Sequence, residues 1–173
     1  MTNYKQLLKD VRTFIFDVDG VMTNGTVLLT AEGEMLRSMN VKDGYILQLA
    51  VKKGYRIIII SGGSCEAVRR RFSLLGLKDI YLSCSNKVEV FGKVIAEHRI
   101  DPAHVLYMGD DVPDYEVMRK VGVPACPADA VEEIKAISKY ISSRKGGEGC
   151  VRDVIEQVMK VHDNWLHEDG FHW

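Results

Sequence analysis

The sequence predicts an α/β fold: a doubly wound, Rossmann-like parallel sheet with a projecting β-hairpin. Short β-branched or aromatic runs alternate with helical stretches along the chain. One of these runs, Arg56-Ile57-Ile58-Ile59-Ile60, holds four consecutive isoleucines. A strand that is apolar at every position has no solvent face, which marks a central parallel strand covered on both sides. The third observation is that polar residues collect just beyond the ends of these runs, where open sheets of this kind bind ligands.

Taken in order, Thr13-Phe14-Ile15-Phe16 forms a buried first strand that stops at Asp17. Thr26 to Thr30 and Met35 to Met39 flank Ala31-Glu32-Gly33-Glu34, two extended runs about a Gly-bearing turn, so residues from about 24 to 40 make the hairpin. Asp43 to Lys53 reads as a helix stopped by Gly54. After the isoleucine strand, Ser64 to Leu75 is helical, Asp79 to Leu82 a short strand, and Asn86 to Arg99 a helix. In that helix Val88, Phe91, Val94, Ile95 and His98 keep the three-and-four spacing of one buried face, and His98 reads as a structural histidine. His104 to Met108 is a strand, Pro113 to Val121 a helix, Val123-Pro124-Ala125 a strand and Ala130 to Ile137 a helix. A last short strand near Tyr140 precedes an amphipathic helix carrying Val151, Val154, Ile155, Val158 and Met159. With no repeat and no Pro-, Gly- or Ser-rich linker, residues 1–173 read as one domain with a C-terminal tail from about 163. Phe171 and Trp173 in that tail are candidates to dock on a neighbouring subunit near its site.

Composition narrows the functional classes. A net charge of -1 gives no reason to expect nucleic-acid binding, and Arg69-Arg70-Arg71 reads as helix surface. No apolar run reaches the roughly 20 residues that span a bilayer, and the polar opening is unlike a secretory signal. Four dispersed cysteines, Cys65, Cys84, Cys126 and Cys150, form no Cys-x-x-Cys pair and suit reduced thiols in a cytoplasm.

The chemistry sits at the predicted strand ends. The first strand leads into Asp17-Val18-Asp19-Gly20, the isoleucine strand into Ser61-Gly62-Gly63, the third towards Lys87, and the fourth into Gly109-Asp110-Asp111 with Asp114 three residues on. Asp17 and Asp110 on one sheet edge repel each other unless a cation lies between them. Mg²⁺, a hard oxygen-seeking ion, relieves that repulsion and accepts a substrate phosphate oxygen. Two positions apart, Asp17 and Asp19 can point to the same side. One is then placed to attack phosphorus while the other protonates the departing oxygen. Ser61 offers a hydroxyl at a helix N-terminus, suited to an anion, and Lys87 a fixed positive charge. Each piece is common alone; their joint order is not.

That order resembles the haloacid dehalogenase superfamily of phosphatases. Phe16-Asp17-Val18-Asp19-Gly20-Val21 matches its Asp-x-Asp-Gly motif, Ser61 its Ser/Thr motif, Lys87 its lysine motif, and Gly109-Asp110-Asp111-x-x-Asp114 its acidic motif. The resemblance implies Asp17 as nucleophile and Asp19 as acid and base. It also implies Mg²⁺ on Asp17, Asp110 and the Asp19 carbonyl, with Asp111 and Asp114 supporting. About 40 residues separate Asp19 from Ser61 and about 20 separate Lys87 from Asp110, so neither gap holds the cap domain of most relatives. Asp17 to Gly25, Asn40-Val41-Lys42-Asp43-Gly44 and Arg144-Lys145-Gly146-Gly147-Glu148-Gly149 are similar to a capless branch acting on sugar-acid phosphates. By that resemblance the substrate is an eight-carbon sugar acid 8-phosphate of lipopolysaccharide synthesis, and the enzyme a homotetramer. A capless site needs another means of excluding water, and a neighbouring subunit carried by the hairpin is the expected lid. Candidate substrate contacts are Asn24, Lys42, Asp43, Gly44, Gly62, Gly63, Arg69, Arg71, Arg144 and Lys145, the arginines ranking first for a carboxylate.

Three alternatives compete. Nine-carbon sugar-acid 9-phosphates suit close relatives that tend to carry a glutamate after the glycine of the Ser/Thr motif, where this chain has Gly63. A non-catalytic oligomerisation module has no need of Asp17, Asp19, Lys87 and Asp110 together. A phospho-accepting receiver domain has its acidic pair early and its acceptor on a middle strand, the reverse of the order here.

Overall fold

The structure, a computed structural model, describes residues 4–165. A short helix, α1 (Tyr4–Leu8), precedes β1 (Thr13–Phe16), and a two-stranded hairpin follows, β2 (Leu28–Leu29) with β3 (Met35–Leu36). Then come α2 (Val41–Lys52), β4 (Arg56–Ile60), α3 (Glu66–Leu74), β5 (Asp79–Tyr81) and α4 (Lys87–His98). The second half runs β6 (Val105–Met108), α5 (Tyr115–Met118), β7 (Val123–Cys126), α6 (Glu132–Ile137), β8 (Tyr140–Ile141) and α7 (Cys150–Val161).

Six strands pair in the order β5-β4-β1-β6-β7-β8, every pairing parallel. The chain builds outward from β1 to β5, then crosses back and builds outward on the other side from β6. The reversal opens a crevice at the carboxyl ends of β1, β4 and β6. Alternate side chains of each strand face opposite layers. Phe14, Phe16, Ile57, Ile59, Leu106 and Met108 pack with α2, α3 and α7, whereas Ile15, Ile58, Ile60, Val105 and Tyr107 pack with α4, α5 and α6. The isoleucine run is therefore shared by two cores, which is why every one of its isoleucines is apolar.

Local chemistry sets the helix ends. Asn40 caps α2 by accepting from Lys42 N at 2.9 Å, and Asn86 caps α4 by accepting from Glu89 N at 3.2 Å. The start of α7 is capped from a distance: Asp43, buried in α2, accepts from Arg152 N at 2.7 Å. Several elements are shorter than predicted. The hairpin pairs two residues per strand, and Leu28, Leu29, Met35 and Leu36 remain 47–67% exposed, with no layer to pack against among the described residues. Pro113 lies in a 3-10 turn, Val112–Asp114, so the predicted Pro113–Val121 helix is reduced to α5. The end of the predicted tail, including Phe171 and Trp173, lies outside the described residues. No helix among those residues is long and apolar enough to cross a membrane.

Candidate active site

The loop after β1 fixes the first carboxylates. Asp17 N donates to Met108 O on β6 at 3.1 Å, and the amides of Met22 and Thr23 fold back to Val18 O at 2.9 and 3.1 Å. The fully buried Thr23 hydroxyl accepts from Gly20 N and Gly25 N, both at 3.3 Å, closing the turn. Gly20 takes φ +84°, and a β-carbon there would run into the Asp110 carboxylate, so only glycine lets the two loops meet.

Asp17, Asp110 and Asp114 each bring a carboxylate oxygen within 4.8 Å of the others. Lys87, the first residue of α4 and 8% exposed, reaches into this group. Its Nζ lies 2.9 Å from Asp17 Oδ2 and 2.7 Å from Asp114 Oδ1. Asp114 is engaged through both oxygens: Oδ1 also accepts from the buried Tyr107 hydroxyl at 2.6 Å, and Oδ2 from Asp110 N at 3.3 Å. It therefore acts as the anchor that orients Lys87 and the Asp110 loop. Asp111 is exposed and caps the 3-10 turn through Val112 N at 2.7 Å.

Electrostatics follow from burial and crowding. Burial first, then the Asp114 charge, push the Asp17 carboxyl up from 3.8 to about 6 against the opposing pull of Lys87. Burial, Asp17, Asp114 and Asp111 push Asp110 up to about 7. Burial disfavours the Lys87 ammonium, but Asp17 and Asp114 outweigh it and its pKa ends above the ordinary value. The cluster carries more negative charge than one lysine neutralises, and its donors are all carboxylate oxygens, the ligands of a hard divalent cation.

Asp17, Asp19, Gly20, Ser61, Gly62, Gly63, Lys87, Asp110, Asp111 and Asp114 line one cleft of about 370 Å³, and the seven catalytic and metal-site residues expected from the sequence are all among them, with Gly62 and Gly63. Ser61 is at the tip of β4, not at a helix N-terminus as predicted, because α3 begins only at Glu66 after the Gly-Gly loop. Its hydroxyl accepts from Gly63 N at 3.3 Å.

The other predicted contacts lie elsewhere. Asn24 accepts from Thr26 N and hydroxyl in a local turn. Asp43 is the cap of α7, and burial raises its carboxyl to about 6. Gly44 provides room for the Arg71 guanidinium, which packs against α2. Arg69 donates to Ile80 O at 2.9 Å, and Lys42, Arg144 and Lys145 are exposed. Gly146 and Gly147 press against the Gly20–Asn24 backbone, with Gly147 N donating to Val21 O at 2.9 Å, so this segment buttresses the Asp17 loop. His98 is half-buried, its Nε2 3.5 Å from Asp79.

Two site residues escaped the sequence reading. Arg37 holds Asp19 by both oxygens, Nε to Oδ1 at 2.6 Å and Nη2 to Oδ2 at 3.0 Å. Its signal was that it is the one basic residue between Thr26 and Met39. Tyr107 is the one side chain with a polar group in Val105-Leu106-Tyr107-Met108, two residues before Gly109.

Residues 79–154 match the model of the haloacid dehalogenase-like hydrolases. A 3-deoxy-D-manno-octulosonate 8-phosphate phosphatase of Escherichia coli K12 is 34% identical over 151 residues, 87% of this chain and 80% of that one. The chain belongs to the haloacid dehalogenase-like hydrolases. Among solved structures, the hydrolase is similar to the Moraxella catarrhalis 3-deoxy-D-manno-octulosonate 8-phosphate phosphatase, crystallised with a magnesium ion, a phosphate ion and KDO. That likeness has a TM-score of 0.92 and 31% identity over 99% of this chain and 97% of that one. The cobalt-bound Haemophilus influenzae phosphatase gives 0.89 and 26%, covering 96% and 99%. The hydrolase shares their fold, and no cap domain interrupts its described residues.

Proposed function

We propose that the chain is a Mg²⁺-dependent phosphoric monoester hydrolase that converts 3-deoxy-D-manno-octulosonate 8-phosphate to the free sugar acid and phosphate. The observation that carries this reading is the convergence of Asp17, Asp110 and Lys87 at one cleft. The relatives named for this activity support the substrate.

Asp17 is the nucleophile: an oxygen of its carboxylate bonds to phosphorus as the bond to the sugar's 8-oxygen breaks. Lys87 holds Asp17 in place and faces the incoming phosphate with positive charge. Asp19 delivers a proton to the departing oxygen, then takes one from the water that cleaves the aspartyl-phosphate. Ser61 and the Gly62-Gly63 loop offer hydroxyl and amide groups to the phosphoryl oxygens. The donor set fits Mg²⁺, which Asp17, Asp110 and the Asp19 carbonyl would hold and which supplies charge against the phosphoryl group when bound. Wild-type protein should release phosphate from the octulosonate 8-phosphate with Mg²⁺ and stop when the metal is chelated; no release under either condition refutes the proposal. Specificity constants measured beside a nine-carbon 9-phosphate should favour the eight-carbon substrate, as Gly63 suggests.

The same reading takes the protein to be a cytoplasmic homotetramer of a Gram-negative bacterium, serving lipopolysaccharide synthesis. The exposed Leu28, Leu29, Met35 and Leu36 support assembly through the hairpin, and four free cysteines suit a reducing compartment. The exposed basic candidates Arg144 and Lys145 are then available to the substrate where subunits meet. Replacing residues 28–36 by a short Gly-Ser turn should leave monomers with poor turnover. Full activity from such a monomer, checked by light scattering, would defeat the lid.

A further inference from the structure

We infer that Arg37 is a positioning residue for the Asp19 carboxylate, fixing the group that protonates the leaving oxygen. The inference rests on the phosphatase reading above and adds to it a residue outside the four sequence motifs. Asp19 needs such help. Its side chain is 39% exposed, and unlike Asp17 and Asp114 it makes no contact with Lys87 among the described residues. A half-exposed carboxylate turns freely about its side-chain torsions, whereas proton transfer requires it within hydrogen-bond reach of one oxygen.

Arg37 removes that freedom. Its side chain is 11% exposed, and the guanidinium meets both carboxylate oxygens in the fork geometry that arginine alone supplies. The fork is itself held, since Nη1 donates to Met35 O at 3.1 Å. Gly63 borders the clamp: a β-carbon there would lie in ordinary contact, 3.5 Å from Asp19 Oδ2 and 3.7 Å from Arg37 Nη2. The hydrogen bond to Asp19 raises the Arg37 pKa and outweighs burial, which opposes the charge. Arg37 directly follows β3, so the clamp is carried on the hairpin's own exit strand.

In the step concerned, the Asp17–phosphorus bond forms, the bond from phosphorus to the leaving oxygen breaks, and a proton carried by Asp19 on a lone pair that the Arg37 fork leaves free passes to that oxygen. An aryloxide leaves without a proton; a sugar alkoxide does not. The test compares kcat/KM, which reports aspartyl-phosphate formation, for wild type, Arg37→Met and Arg37→Lys. Three substrates are used: p-nitrophenyl phosphate, glycerol 3-phosphate (a poor leaving group without a carboxylate) and the octulosonate 8-phosphate. Arg37→Met should lose on the order of 10²-fold on both alkyl phosphates and at least about tenfold less on the aryl ester. Arg37→Lys, with one hydrogen bond in place of two, should recover part of the loss. Equal losses on all three substrates, or none, overturn the inference. So does a loss confined to the octulosonate 8-phosphate with a raised KM, which would make Arg37 a ligand of the substrate carboxylate. A wild-type protein inactive on every substrate would overturn the phosphatase reading and this inference together, and is distinguished by needing no variant.

Discussion

Asp17→Asn is expected to lower phosphate release by at least about 10⁴-fold while leaving the metal-free protein no less stable than wild type. In the proposed mechanism the loss follows from removing the attacking oxygen anion. The retained stability follows from crowding. Burial and Asp114 raise the Asp17 carboxyl to about 6, so the folded chain binds this proton more tightly than the unfolded chain, whose value is near 3.8. A carboxylate shifted in this direction contributes most to stability below about pH 4 and loses that contribution as pH rises through about 6. At pH 8 the ionised group costs on the order of 2–3 kcal/mol. Asparagine has no charge to bury, and Lys87 keeps Asp114 as its partner at 2.7 Å. Thermal unfolding without metal at pH 8 should give the variant an equal or higher Tm, with the gap closing towards pH 4. Mg²⁺ should raise the Tm of wild type more than that of the variant, because binding to the native state alone is stabilising. Retained turnover, or a Tm deficit that grows with pH, would contradict the assignment of Asp17.

Why Asp17, Ser61, Lys87 and Asp110 were legible in the sequence has a simple physical basis. Each follows an apolar run, or begins the helix after one, and a parallel sheet collects the ends of its strands at one edge whatever the details of packing. Such an argument needs only the period and order of the elements. It fails where a residue's role depends on the direction of its side chain from a loop. Arg69 and Arg71 sit on one helix, yet one turns to Ile80 O and the other packs at Gly44. Asp43 is drawn inward to cap α7, more than a hundred positions further along the chain, a contact that no local pattern announces. Arg37 was lost for the same reason: the hairpin was read for its apolar residues, and the loop that brings Arg37 to Asp19 has no periodicity. Element ends were misjudged where cap chemistry competes with propensity. Gly62-Gly63 delays α3 to Glu66, and Pro113 turns the start of the predicted fifth helix into a 3-10 turn. The helix α1 was not predicted at all, being five residues with no apolar period to read.

Lys87→Met reverses the sign of the stability effect at the same contact. Its Nζ is the cation between Asp17 Oδ2 at 2.9 Å and Asp114 Oδ1 at 2.7 Å, and it is 8% exposed. Methionine fills much of the volume but leaves the carboxylates facing one another, with Tyr107 and the Asp110 amide as the donors that remain on Asp114. Breaking a buried pair from one side costs about 3–5 kcal/mol. Lys87 holds down the pKa values of Asp17 and Asp110, so its loss should push both above about 6 and 7. Both groups then titrate higher in the fold than in the unfolded chain, and stability should fall more steeply than in wild type between pH 5 and pH 8. Urea unfolding of the metal-free variant at those two pH values measures the difference. Mg²⁺ should restore part of the stability at pH 8. Turnover should stay at least about 10²-fold down, since in the proposed mechanism a charge aimed at the transition state is missing. Three carboxylates, Asp17, Asp110 and Asp114, share one lysine. Subtracting an anion therefore relieves the site and subtracting the cation strains it. A Lys87→Met protein as stable as wild type at pH 8 without metal would mean that this excess of negative charge is not what the fold carries, and the reason for a divalent ion would go with it.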